Sequence, residues 1–307
     1  MLQLRVVSPS HRTNAVLEAL RVSPATFNVS VFRGAALDPV GDVVMCDVAR
    51  EGANGLVLAL RELGLDEDGT VALSRVDVLV SAAGVEAEAR APGHAGDAAV
   101  WEEVDERVRG ESALTASFLA FMVIAALIAA VGLVEDAPIL IVGAMVVGPE
   151  FGPVAGLSVG LFNRRVPQVR ASSVTLVVGL VVATAVSFLA TAVADALGLV
   201  PAEFSPSVQP LTGFIVDPSA LSFVVALLAG VAGTLSLTQA KAGALIGVLI
   251  SVTTIPAVAA MGVSGALGRW DDAWGAAVQL GLNLVALVLA GVVTLWTQRE
   301  AWERLSQ

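Results

Sequence analysis

The stretch "ILIVGAMVVGPEFGPVAGL", residues 139–157, decides how this chain is read. Its flanks are apolar enough for a bilayer, yet Gly148, Pro149, Glu150, Gly152 and Pro153 fall within six residues. Glu150 lies about 11 residues into the span, near 16 Å deep at about 1.5 Å per residue, close to the bilayer midplane. An ionised carboxylate there costs at least ~2.5–3.5 kcal/mol. Pro153 cannot donate to the carbonyl of Pro149, nor Pro149 to that of Met145, so two backbone acceptors are freed one turn apart. Lipid cannot satisfy them, and the segment must face protein or water. Two readings follow: a cation or proton site built from Glu150 and the freed carbonyls, or a protonated glutamate that ties a neighbouring helix across a packing kink.

The rest of the chain supports a membrane setting. It has 307 residues, of which 56% are hydrophobic and 15% charged, and a mean hydropathy of +0.82. Soluble domains are less apolar and carry about 25% charged residues. Charge is concentrated at the front: residues 1–112 hold 18 acids and 10 arginines, whereas 113–307 hold 10 acids and 7 bases. The net charge of −11 and the lack of a basic cluster exclude nucleic acid as an expected partner.

Six stretches are long enough to span, at about 20 apolar residues each: 114–134, 139–162, 172–196, 219–238, 243–265 and 274–297. With a cytoplasmic front, the inner connections hold Arg164, Arg165, Arg170, Lys241, Arg299 and Arg304. The outer ones hold only Arg269, with Glu135, Asp136, Glu203, Asp217, Asp271 and Asp272. This bias places both termini inside. The outer loop 199–219 is proline-rich and reads as an ordinary surface loop, with an ordered lid or a re-entrant segment as alternatives.

A second interrupted span, "GALIGVLISVTTIPAVAAMG" (243–262), sets Ser251, Thr253, Thr254 and Pro256 at comparable depth, and Pro256 releases the Val252 carbonyl. Residues 117–143 and 222–248 align without gaps, and a two-residue shift brings Pro153 over Pro256. Chance identity in so biased a composition is the rival explanation. A true repeat of three spans would put the copies in opposite orientations, with broken helices at their interface as in many secondary transporters. Gln279 and Asn283 are four residues apart on one face of the last span; such amides more often tie helices together than bind solute.

The front alternates as strands over 2–7, 26–34, 41–49 and 71–81, with helical spacing over 13–21 and 52–65. This βαββαβ order predicts a ferredoxin-like cytoplasmic domain over 1–82. Residues 82–97 read as an Ala/Gly-rich linker carrying a solvated His94, and 98–112 as a polar juxtamembrane helix with Trp101. These make up a segment 83–112 ahead of a six-span domain over 113–298 and a cytoplasmic tail over 299–307. Cys46 is the lone cysteine and reads as a buried thiol in a strand. "MLQLRVV" is too short an apolar start for a signal peptide.

The stretches 139–157, "GALIGVLISVTTIPA" (243–257) and "LNLVALVLAGVVTL" (282–295) resemble the signature segments of the DUF389 membrane-protein family, and "WEEVDER" (101–107) is similar to its actinobacterial branch. The resemblance implies a polytopic protein of the bacterial inner membrane with no established function. It also implies an apolar residue where this chain has Glu150, so that an activity shared by the family would rest on the broken backbone.

The expected class is therefore an α-helical polytopic membrane protein, with six transmembrane helices and a 3+3 inverted repeat if the internal alignment is real, and an N-terminal α+β ferredoxin-like cytoplasmic domain. The expected function is a transporter or channel-like permeation protein for a small ion or solute, embedded in the cell membrane. The alternative is a membrane-anchored sensor or scaffold whose head binds a ligand while the spans only pack. Analogy with other ferredoxin-like heads suggests a homo-oligomer. No HExxH, Ser–His or Cys–His arrangement occurs in the spans, and no cofactor or metal pattern is present, so an enzyme is not expected.

Overall fold

The computed structural model describes residues 1–76, 78–91, 100–201, 204–216, 219–238 and 254–305. It divides into two compact units, the first built from Met1–Val104 with Thr238–Lys241 and Trp302–Gln307, and the second from Asp105–Leu237 and Ala242–Ala301.

In the first unit the order is β1 (Leu2–Ser8), α1 (Thr13–Val22), β2 (Thr26–Leu37), β3 (Val40–Val48), α2 (Ala53–Glu62), a short α3 (Leu65–Asp68) and β4 (Thr70–Arg75). The sheet runs β2-β3-β1-β4 with every neighbouring pair antiparallel, the pairing of a split β-α-β arrangement. Alternation makes one face apolar: Leu2, Leu4 and Val6 of β1 and Val44, Cys46 and Val48 of β3 point into the core. Val16 and Leu20 of α1 and Leu56 and Leu60 of α2 close over them at helical spacing. Burial, with Asp47 adjacent, pushes the Cys46 thiol up to about 12, so it stays neutral and packs as a small hydrophobe. β4 ends at Arg75, earlier than the strand expected to residue 81.

Residues expected to be linker form a helix instead, α4 (Ala82–Arg90). Ser81 caps it by accepting from the Gly84 N–H at 3.2 Å, and alanine-rich sequence favours the helix once started. A Cβ on Gly84 would meet Leu79, Phe27 and Met1 within 3.4 Å, which shows how closely α4 lies on the sheet. His94 lies outside the described residues. Helix α5 (Trp101–Glu111) starts on an N–H bond from Trp101 to Asn54, and its acidic first turn pairs Glu102 with Arg61 at 2.9 Å and Glu103 with Arg50 at 2.9 Å and with Arg75. That turn is held by ion pairs rather than merely solvated.

The second unit is helical: α6 (Ala116–Val134), α7 (Pro138–Val147), α8 (Phe151–Phe162), α9 (Val166–Ala196), α10 (Ala220–Thr238), α11 (Ile255–Ala266) and α12 (Trp270–Leu305). Among the described residues four helices are long and apolar enough to cross a bilayer, or five if the bent pair α7–α8 is one span. Expectation had six. Residues 243–253 of the expected 243–265 span lie outside the described residues, and the rest is α11, whose 12 residues cover about 18 Å and cannot cross alone. Helix α9, with 31 residues, reaches about 46 Å, longer than the hydrocarbon core. Val177, Val181, Leu189 and Val193 along it, and Val285, Leu289 and Val293 along α12, are exposed, an apolar exterior suited to lipid.

Helix α11 sits centrally, packed on α9, α6 and α7 and buried on all sides. Alanines 125, 126, 129 and 130 let α6 come close, and Gly262 lets α11 approach the Thr184 carbonyl of α9. The outer loop is not an ordinary surface loop. Its described part, 204–216, forms two 3-10 turns, and Phe204, Ile215 and Val216 are buried in the helical core.

Candidate functional site

Two short helices begin at one point. Helix α7 ends at Val147, Gly148 turns extended (φ −64°, ψ 128°), and α8 restarts at Phe151 with Glu150 in its N-cap position, the axes meeting at 56°. Helix α11 starts at Ile255 with Thr254 in its N-cap position. The Thr254 hydroxyl donates to Oε1 of Glu150 at 2.6 Å, and both residues are 0% exposed. That length lies at the short end of the usual range for a hydroxyl donating to an oxygen.

The prolines set these starts. Pro153 falls in the first turn of α8 and Pro256 in the first turn of α11, where a missing N–H deprives no intrahelical bond. The outcome differs from a single kinked helix with two orphan carbonyls: the chain leaves the helix over 148–150 and begins a new one. Each helix start carries a partial positive charge, and the C-terminal carbonyls of α7 face the same break from the other side. A carboxylate between two helix N-termini is stabilised, while the ends of α7 offer acceptors for a proton or cation beside it.

Of the residues singled out in the sequence, the fold brings Glu150 and Thr254 together, with Gly148, Pro149, Gly152 and Pro153 at the break and Pro256 in the first turn of α11. Ser251, Val252 and Thr253 lie outside the described residues, and so does the carbonyl that Pro256 was expected to free. Gln279 and Asn283 form a buried pair, Gln279 Nε2 donating to Asn283 Oδ1 at 3.3 Å. Glu150 is hidden from lipid, as its chemistry requires, but it is also closed to solvent.

Sequence reasoning missed how the break is braced. Ser112 Oγ donates to the Gly152 carbonyl at 2.8 Å, occupying an acceptor in the first turn of α8. Gly152, Gly156 and Gly160, spaced by four, form one stripe: Gly156 admits the Ser172 and Ser112 hydroxyls, and Gly160 admits Val169 of α9. The small-xxx-small spacing was legible in "GPVAGLSVG" as a helix-packing signal.

Comparison with known proteins bears on the same region. Residues 145–289 match the family described as "Domain of unknown function (DUF389)". The chain is similar to "Uncharacterized protein MJ0678" of Methanocaldococcus jannaschii, 23% identical over 172 residues, 56% of this chain. It spans about half the length of that relative, 51%. No solved structure matches it.

Proposed function

Starting from a chain whose residues 145–289 carry the DUF389 domain, we propose that it passes a small cation or proton across the cell membrane through the Glu150–Thr254 junction. The observation that carries this reading is the 2.6 Å bond between a buried carboxyl group and a hydroxyl, each in the N-cap position of a short apolar helix. A proton or cation arriving at Glu150 takes up the charge of the carboxylate that Thr254 bonds and so weakens that bond. Ligand binding and separation of α8 from α11 are then one event, which is what alternating access requires. On this reading the burial of Glu150 corresponds to an occluded state.

The reading carries the topology with it: six spans, the head and tail cytoplasmic, and the two interrupted segments as counterparts in a 3+3 inverted repeat. The positive bias of Arg164, Arg165, Arg170 and Arg299 supports that orientation. The head would regulate or assemble the protein as a homo-oligomer.

A second reading draws on the complete burial of Glu150: the bond is a tie that fixes α8 to α11, and the protein is a membrane-anchored sensor or scaffold. Proteoliposomes loaded with a pH- or Na⁺-sensitive dye separate the two. Permeation requires flux in wild type that Glu150→Gln removes. Equal traces for wild type, Glu150→Gln and empty vesicles under every gradient would leave only the tie.

A further inference from the structure

A cleft of about 680 Å³ opens between the end of α5 and the start of α9. Its rim carries Arg109 and Arg164, both exposed, and among the described residues neither has an ion pair. Arg165 beside them is already committed to Asp105. The wall holds two polar groups without a hydrogen-bond partner among the described residues, Gln168 Nε2 and the Ser172 hydroxyl, the latter residue 1% exposed. The first turn of α9 adds the positive end of a long helix. Two uncommitted guanidinium groups stand at the rim of a space whose lining includes an amide and a hydroxyl, a set suited to a phosphate.

A second cleft, about 570 Å³, continues from it and shares Ser112, Ala113, Val166, Pro167 and Ala171. Its other walls are Leu114 and Val174, which are 45% and 49% exposed, with Arg170 and Thr175. Leu114 and Val174 offer an acyl chain an apolar wall, and Arg170 beside them keeps the mouth positive. The arginines stand where the charged ends of α5 and α9 meet apolar helix, the depth of a lipid headgroup.

We propose that this cleft binds an anionic phospholipid, with its phosphate between Arg109 and Arg164 over Gln168 and Ser172, and an acyl chain along Leu114 and Val174. The inference rests on the chain being a membrane protein and is independent of whether ions cross at Glu150. Ser112 lines the cleft and also holds the Gly152 carbonyl, so the lipid sits against the brace of the broken helix.

Thermal unfolding of the full-length protein in a neutral detergent, followed by tryptophan fluorescence, tests this with dioleoylphosphatidylglycerol, dioleoylphosphatidylcholine and inorganic phosphate as additives. At roughly a hundred times its dissociation constant, phosphatidylglycerol is expected to raise Tm by about 5 °C or more. Phosphatidylcholine and phosphate should do little. The double variant Arg109→Gln/Arg164→Gln should lose most of the rise, and Ala171→Trp, which fills the cleft with every arginine in place, should lose it too. Arg269→Gln at the other end of the helices should keep it. Equal shifts from the two lipids, or an undiminished rise in Ala171→Trp, overturn the proposal. An equal shift from phosphate alone would assign the cleft to a free anion and reject the lipid.

Discussion

A Cβ placed on Gly152 would stand 2.2 Å from the carbonyl oxygen of Glu111, and the neighbouring Ser112 hydroxyl already bonds the Gly152 carbonyl. The end of α5 is thereby pressed against the first turn of α8, with no room for a methyl group and only backbone to yield. Gly152→Ala should cost about 1–3 kcal/mol. Gly143→Ala, where nothing lies within 4 Å, should be neutral or slightly stabilising, by up to about 1 kcal/mol. Unfolding of the two variants in the same detergent checks the contrast, and equal losses would contradict the contact.

Glu150 and Thr254 separate stability from conduction. Thr254→Val leaves a buried carboxyl oxygen without its donor and should cost about 1–3 kcal/mol. Glu150→Gln keeps an oxygen for the same hydroxyl, so its stability should fall less, yet it can no longer take up a proton. Tm measured beside dye-reported flux tests the pair. Comparable Tm losses in the two variants would show that the carboxylate charge, rather than the bond, holds the helices.

The outer loop is fastened by acids. Asp136, in a left-handed conformation at φ 47°, accepts from the Thr212 hydroxyl at 2.8 Å and from the Leu211 N–H, and Asp272 accepts from Ser205 at 3.3 Å. Asp136→Ala removes the acceptors and strains the backbone, whereas Asp136→Asn retains one acceptor and tolerates that conformation. Limited proteolysis should cut the 204–216 segment of Asp136→Ala several-fold faster than wild type, with Asp136→Asn between them.

In the head, the Asp42 carboxylate accepts from the Gly34 N–H and the Thr13 hydroxyl at 2.8 Å, from Arg33 at 2.9 Å and from Ser10 at 3.2 Å. These bonds, the Gly34 N–H foremost, hold its pKa at about 2 against an ordinary 3.8. A lowered acid stabilises the folded state above its unfolded value and loses that contribution as pH falls toward the folded one. Wild-type head should therefore resist pepsin at about pH 4 and open toward about pH 2. Asp42→Asn should already be cleaved at the higher pH, with a flatter acid profile. Identical profiles would remove Asp42 as the acid-sensitive hub.

Much of the candidate site was legible before any coordinates. Two prolines and two glycines around an acid in an apolar span signal an interruption, as a break or a kink, and the break falls at 148–150. Less legible was α4, because alanine and glycine mark both linkers and close-packed helices, and the choice fell to the Ser81 cap and the surface offered by Phe27. The lid-like loop was hidden for a similar reason: proline-rich composition signals turns, while the burial of Phe204 and Ile215 depends on a cavity formed by distant helices.

What the chain determined by itself is local and periodic: alternation in the head, apolar runs in the spans, and prolines that interrupt the backbone bonding of a helix. Those follow from backbone geometry and the cost of unsatisfied polar groups in hydrocarbon, which act within a few residues. Tertiary structure decided that Glu150 meets Thr254 across 104 positions, that Ser112 braces Gly152 and that the carboxylate is sealed from water. Such contacts depend on which helix faces pack, and periodicity in one segment carries no information about its partner.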